Sequence, residues 1–166
     1  MMAKKKIKKT LVEQVLDTHG VPYQSLTLNM LNTPPEAIPE RLAAYDLTHP
    51  QIFKTLAAKG DKTGPVIAVI PITETLDLKK LAAVSGNKKV TMLPTKELAK
   101  TTGYIHGANN PVGIWHHKHF PIYIDTLAQT CTTFVVSAGE VGRSDRLVPT
   151  DLAELINAPF VALTAQ

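Results

Sequence analysis

Strand-like and helix-like runs interleave irregularly along this chain, and that order constrains its fold more than any other feature. A regular alternation would give parallel βαβ units, whereas the order seen here predicts an α+β fold built on a mixed sheet. The clearest strand pair is "FKTLAAKGDKTGPVIAVIP", two apolar runs joined by a turn from Gly60 to Gly64. "VPYQSLTL" (Val21 to Leu28) alternates as a strand does, and "KVTML" gives a short one. "PIYID" (Pro121 to Asp125) and "TTFVVSAG" (Thr132 to Gly139) carry the β-branched and aromatic residues that pleated surfaces favour, and "FVALT" closes the series.

Helices are marked by their ends. In "TLVEQVLDTHG", Thr10 and Glu13 have capping-box spacing, Leu11/Val15 and Val12/Leu16 form the apolar stripe, and Gly20 ends it. A short helix is expected from Arg41 to Tyr45, after the proline-rich "NTPPEAIPE". "LDLKKLAAVSG" has Asp77 as N-cap and Gly86 as stop, and "PTKELAKTTG" is a third helix. "PTDLAELINAP" is the last, with Thr150 or Asp151 at its cap.

The 166 residues fit one domain, with residues 1–9 as a basic tail and 10–166 as a single folded unit. A hydrophobic fraction of 44% supports a real core and argues against disorder. The longest apolar stretch, "PVIAVIPI" from Pro65 to Ile72, is too short to span a bilayer. No apolar segment follows the basic "MMAKKKIKKT", which therefore does not read as a signal peptide. Cys131 is alone, so no intramolecular disulfide can form, which suits a reducing cytoplasm. A net charge of +4 is compatible with a polyanionic partner such as RNA. Five lysines (Lys4, Lys5, Lys6, Lys8, Lys9) lie in the tail and read as a solvated, frayed end.

The common nucleotide and nucleophile motifs are absent: no Walker-type phosphate loop, no dinucleotide glycine fingerprint, no G-x-S-x-G elbow. "HHKH" (His116 to His119) would place His117 and His119 on one face of a strand. No Cys or carboxylate lies within a few residues, so it reads as an exposed basic loop able to touch phosphate rather than as a metal site. Cys131 opens a strand with nothing nearby to make it a thiolate, and reads as a small buried hydrophobe. Lys54 stands where a short helical turn begun by Pro50 passes into a core strand. Composition leaves it open between a snorkelling edge residue and a ligand-binding ammonium. "GYIHGANNPVG" (Gly103 to Gly113) mixes backbone freedom with one stiff point, Pro111, as a corner or a ligand-facing loop does.

Taken in order, "FKTL", "AVIPITETLDLKKLA", "TGYIHGANNPVG", "FPIYID", "VVSAGEVG" and "TDLAELINAPF" resemble the YbaK/EbsC-type Cys-tRNA(Pro) deacylases. That family is related to the editing domain inserted in bacterial prolyl-tRNA synthetases. The resemblance runs from about Pro50 to Ala165 and is weaker over the first helix and strand. It implies a mixed, barrel-like β-sheet flanked by helices, and hydrolysis of the ester that joins a wrong amino acid to the terminal adenosine of tRNA. Lys54 matches the family's essential lysine, with Thr55 beside it. Gly107 and Pro111 match its G-x-x-x-P loop, with Gly103, Tyr104 and Gly113 in the same substrate-binding stretch. Ser137 matches the serine of its S-x-G element, with Gly139 and Gly142 keeping the backbone open.

By the same resemblance Lys54, Gly107 and Ser137 carry the reaction, no cofactor or metal is needed, and the partners are the tRNA(Pro) acceptor end and prolyl-tRNA synthetase. The chain departs from the family at Leu28, where many relatives carry an aromatic residue. It also has Ser144 where an aspartate is expected, with Asp145 next to it. Ala-tRNA(Pro) deacylation, a non-catalytic tRNA- or synthetase-binding role, and a small-nucleotide-binding regulator are the alternatives.

Overall fold

The computed structural model describes residues 8–28, 33–48 and 51–165. Its strands form two sheets. The first has three strands in the order β1 (Gln24–Thr27), β7 (Arg143–Leu147), β6 (Phe134–Glu140), all antiparallel. The second has five, in the order β4 (Val90–Met92), β2 (Phe53–Gly60), β3 (Gly64–Pro71), β5 (Ile122–Asp125), β8 (Phe160–Val161). Its β4–β2–β3 half is antiparallel and its β3–β5–β8 half is parallel, so the sheet is mixed as expected. The described strands divide into two sheets joined by an isolated parallel bridge between Ile52 and Val135, and no closed barrel forms among them.

The helices are α1 (Leu11–Thr18), α2 (Ile38–Ala43), α3 (Leu78–Ser85), α4 (Thr95–Thr102), α5 (Pro111–Lys118) and α6 (Pro149–Ile156). Among the described residues no helix is long and apolar enough to cross a membrane. The main core lies between the sheets. Phe53, Ile67 and Val69 from one sheet and Phe134, Val136 and Leu147 from the other meet Val12 and Leu16 of α1, Ile114 of α5 and Leu152 of α6. The other face of β2 and β3 (Ala58, Val66, Ala68, Ile70) packs on Leu81 of α3. Covered on both faces, β3 is apolar along nearly its whole length. A third cluster joins Leu26 and Val135 to Leu42 of α2.

Most expected elements are in place. Thr10 and Glu13 form the reciprocal capping box, and Asp77 caps α3 by accepting from the N–H groups of Lys79 and Lys80. The hairpin pairs from Phe53↔Pro71 to Gly60↔Gly64. Four expectations are corrected. α6 begins two or three residues early, with Pro149 as its first residue and Val148 before it, because proline's fixed φ suits the first helical position. The segment holding "HHKH" is the last turn of α5 and not a loop or strand. Asn110 starts that helix by accepting from Gly113 N–H at 2.6 Å, and Pro111 follows at the first helical position. Cys131 ends a 3-10 turn (Thr126–Thr130), half-buried, its thiol facing the Leu127 carbonyl at 3.8 Å, and does not open a strand. β7 lies where no strand was expected, its alternation hidden by two arginines. Pro50 and most of the basic tail lie outside the described residues.

Candidate active site

Where the two sheets meet, their register brings distant residues together. Ile52 forms a parallel bridge with Val135, just ahead of the core contact between the Phe53 and Phe134 rings (centroids 5.0 Å apart). Two residues further along each strand from that bridge stand Lys54 and Ser137. Both line a cavity of about 400 Å³, a size common for small-ligand sites. Thr55, Gly107 and Gly142 line it too, so five of the residues singled out in the sequence converge from three separate segments.

The other five do not line the cavity; they stand behind its wall. Gly103 ends α4 in a left-handed conformation. Pro111 and Gly113 are buried in the first turn of α5. Tyr104, half-buried and with its phenol pKa raised by that burial, lies against Gly113 and Gly139. Gly139 packs against Val12 of α1 and the Tyr104 ring. These residues fix the loop that presents Gly107, whose φ of +90° is the left-handed region that a side chain would strain.

The wall is apolar on one side and polar on the other. Leu28, Ile52, Leu56, Ile72, Met92 and Leu98 supply the apolar part. The polar part holds two cations, Lys54 and Arg143, with His106, Asn109, Thr95 and Ser144, and none of the lining residues is a carboxylate. The Lys54 ammonium has no ion-pair or hydrogen-bond partner among the described residues. Thr55 Oγ1 and Asn109 Oδ1 are buried with no partner among the described residues, although Asn109 Nδ2 donates to the Thr55 carbonyl at 3.0 Å. Buried polar atoms left unpaired by the protein are rare, and here two of them line one cavity. Ser137 Oγ accepts from Gly139 N–H at 3.2 Å and keeps its own proton to give.

Behind Arg143 lies a buried acidic pair. Arg143 Nε and Nη2 hold the carboxylate of Glu13, which is fully buried, at 2.7–3.1 Å. Asp145, also fully buried, has neither oxygen served by an N–H donor and lies within hydrogen-bonding reach of Glu13. Burial and then the neighbouring Glu13 push the Asp145 carboxyl up to about 9. Burial would raise Glu13 as well, but the Arg143 guanidinium, Asp145 and Thr10 N–H together hold it at about 2. Burial and the adjoining Glu13 thus favour the protonated form of Asp145 in the fold.

The sequence model of the aminoacyl-tRNA editing domain matches residues 33–155, a span that contains every cavity-lining residue except Leu28. The chain belongs to the aminoacyl-tRNA editing domain family. A curated relative from Enterococcus faecalis, provisionally named Cys-tRNA(Pro)/Cys-tRNA(Cys) deacylase EbsC, is 42% identical over 168 residues, covering 99% of each chain. Two solved structures share the fold. One, provisionally described as a trans-editing enzyme for prolyl tRNA synthetase, has a TM-score of 0.75 at 24% identity over 93% of this chain and 95% of its own. The other, of a hypothetical protein, has a TM-score of 0.78 at 20% identity over 93% and 99%.

In this editing domain the sequence reading had flagged Leu28 and Ser144 as departures from the family pattern, and both line the cavity. It missed Asn109, Arg143, His106 and most of the apolar wall. The Asn-Pro pair announces Asn110 as a cap followed by a helix start, but says nothing of Asn109, whose partner Thr55 lies 54 residues away. Arg143 had no signal either, because its partner Glu13 lies 130 residues away.

Proposed function

We propose that this editing domain acts in trans as a deacylase of misacylated tRNA(Pro), with Cys-tRNA(Pro) as its substrate. The observation that carries the reading is the convergence of Lys54, Thr55, Gly107 and Ser137 on one cavity. The name of the 42%-identical relative supports cysteine as the amino acid removed, and the trans-editing structural neighbour supports prolyl-tRNA synthetase as the enzyme served.

The cavity's chemistry suits an ester that is already reactive. Among the described residues no histidine is hydrogen-bonded to a carboxylate, and Cys131 is not in the cavity wall, so the site has no nucleophile–base pair of its own. Lys54, whose ammonium has no partner among the described residues, anchors phosphate or ribose oxygens of the terminal nucleotide. Backbone N–H groups around Gly107 receive the ester carbonyl as it gains negative charge. Ser137 hydrogen-bonds the acyl group and limits its size. The attacking atom comes from the substrate side: the cysteine thiol, a terminal ribose hydroxyl, or a water held by it. Attack by water releases the free amino acid, and attack by the thiol releases a cyclic thioester. A ribose hydroxyl that itself attacked would only pass the acyl group along for water to remove. In each case the ester oxygen leaves with the proton given up by the attacking group.

Editing is needed because an apolar pocket separates amino acids differing by a methylene by only about 1–3 kcal/mol. The test is release of labelled amino acid from Cys-tRNA(Pro), Ala-tRNA(Pro) and Pro-tRNA(Pro), with and without prolyl-tRNA synthetase. Loss of cysteine alone supports the reading. Loss of alanine instead reassigns the substrate, and stable esters throughout leave a tRNA-binding role.

A further inference from the structure

Arg143 is fixed in the cavity wall more firmly than Lys54, the other cation there. Its backbone pairs with Thr27 of β1 and Glu140 of β6, next to the irregularity between Ser137 and Glu140. Its guanidinium is held on two nitrogens by Glu13, and Glu13 is locked in turn by the Thr10 N–H and the adjoining Asp145. The side chain is only 15% exposed, and it is part of the cavity wall.

Two points argue that this cluster serves the site. A buried ion pair is poor evidence of a stability role, because apolar residues of similar volume often do as well. Three ionisable groups under one wall therefore call for another explanation. The pairing also leaves Nη1 with no partner among the described residues, so two N–H donors remain available on an arm that has already lost its rotational freedom. Guanidinium N–H groups match the oxygens of a phosphate. No lining carboxylate competes for them.

We propose that Arg143 is a second anchoring cation of the cavity, taking the phosphate of the terminal nucleotide through Nη1, with Glu13 and Asp145 as the residues that position it. The proposal rests on reading the cavity as the site for the acceptor end. It assigns the phosphate to Arg143 and leaves Lys54, on the other sheet, the ribose oxygens. It also makes α1, which carries Glu13, part of the site although it contributes no lining residue.

The test is binding of adenosine 5′-monophosphate and of adenosine, measured by calorimetry on the full chain, its Arg143→Ala and Arg143→Lys variants, and Lys54→Ala. The wild-type protein should prefer the monophosphate about 10- to 100-fold, the range for one charge-assisted hydrogen-bonded contact. Arg143→Ala should abolish that preference and leave adenosine binding unchanged, and Arg143→Lys should restore part of it. Should Arg143→Ala fail to fold, Glu13→Gln gives the same reading. A glutamine can still serve the capping box but no longer holds the guanidinium as an ion pair, so the preference should shrink. A preference that survives in Arg143→Ala, or that vanishes only in Lys54→Ala, overturns the proposal, as does wild-type protein that binds neither compound. Because binding is read without turnover, a protein selective for the monophosphate but inactive on misacylated tRNA would overturn the deacylase reading alone.

Discussion

Asn109 donates from Nδ2 to the backbone carbonyl of Thr55 at 3.0 Å, and this one buried bond ties the glycine loop to the strand that carries Lys54. The bond crosses 54 residues of sequence and joins two walls of the cavity. Replacing Asn109 with alanine leaves the Thr55 carbonyl unserved, a loss of about 1–3 kcal/mol. Asn109→Asp should be worse, because it sets a carboxylate against that carbonyl. Urea unfolding should rank wild type above Asn109→Ala and Asn109→Ala above Asn109→Asp. Deacylation should fall in both variants, since the loop that presents Gly107 is no longer held. A variant that keeps full activity at reduced stability would show that the tie is structural only.

Lys54 should separate activity from stability in the opposite way. Its ammonium has no partner within the described protein, so Lys54→Ala removes no internal interaction. The melting temperature should stay within a degree or two of wild type. A charged hydrogen bond to substrate is worth about 1.5–3 kcal/mol, which predicts a drop in kcat/KM of about 10- to 100-fold. A large fall in melting temperature would instead mark Lys54 as a packing residue whose aliphatic stem covers the core.

The contrast between these two residues shows what the sequence could reveal. Lys54 stood out as a lysine at the head of an apolar strand, but composition left an edge residue and a ligand-binding ammonium equally open. Only the resemblance to the deacylase family singled it out. The hairpin, α1 and α3 were legible because their signals are local: a glycine turn, a capping box, an Asp cap. α5 was hidden by a glycine and histidines, all weak helix formers, although Asn110–Pro111 announces its start. The division into two sheets and the Glu13–Arg143–Asp145 cluster depend on pairings between chain ends, which no local pattern encodes.

Gly113 gives a test of the packing behind the loop. A Cβ at this position would run into the hydroxyl and ring carbons of Tyr104. Gly113 lies in the first turn of α5, where alanine would otherwise favour the helix by about 1 kcal/mol. Overpacking of a buried site costs about 1–3 kcal/mol, so the net sign for Gly113→Ala should be destabilising. Tyr104→Phe should relieve it only in part, because ring carbons crowd the same point. Gly113→Ala combined with Tyr104→Ala should be less destabilised than the sum of the single changes. Strict additivity in denaturant unfolding would show that Tyr104 moves aside freely.

The acidic pair behind Arg143 predicts how stability depends on pH. For Glu13 the folded pKa of about 2 lies below its ordinary 4.5, so its contribution is complete above pH 4.5 and is lost as pH falls toward 2. For Asp145 the folded pKa is raised from 3.8 to about 9, so the folded protein holds a proton that the unfolded chain has released. Its contribution is complete below pH 3.8 and declines as pH rises toward 9, at up to about 1.4 kcal/mol per pH unit. Asp145→Asn should remove that decline, since an amide is neutral at every pH and can still donate to Glu13. Urea unfolding from pH 5 to 8 should therefore give a flatter stability profile for Asp145→Asn than for wild type. The variant's relative stability should rise as the buffer becomes more basic. Parallel profiles for the two proteins would mean that Asp145 is ionised in the folded state and that the proton shared with Glu13 does not exist.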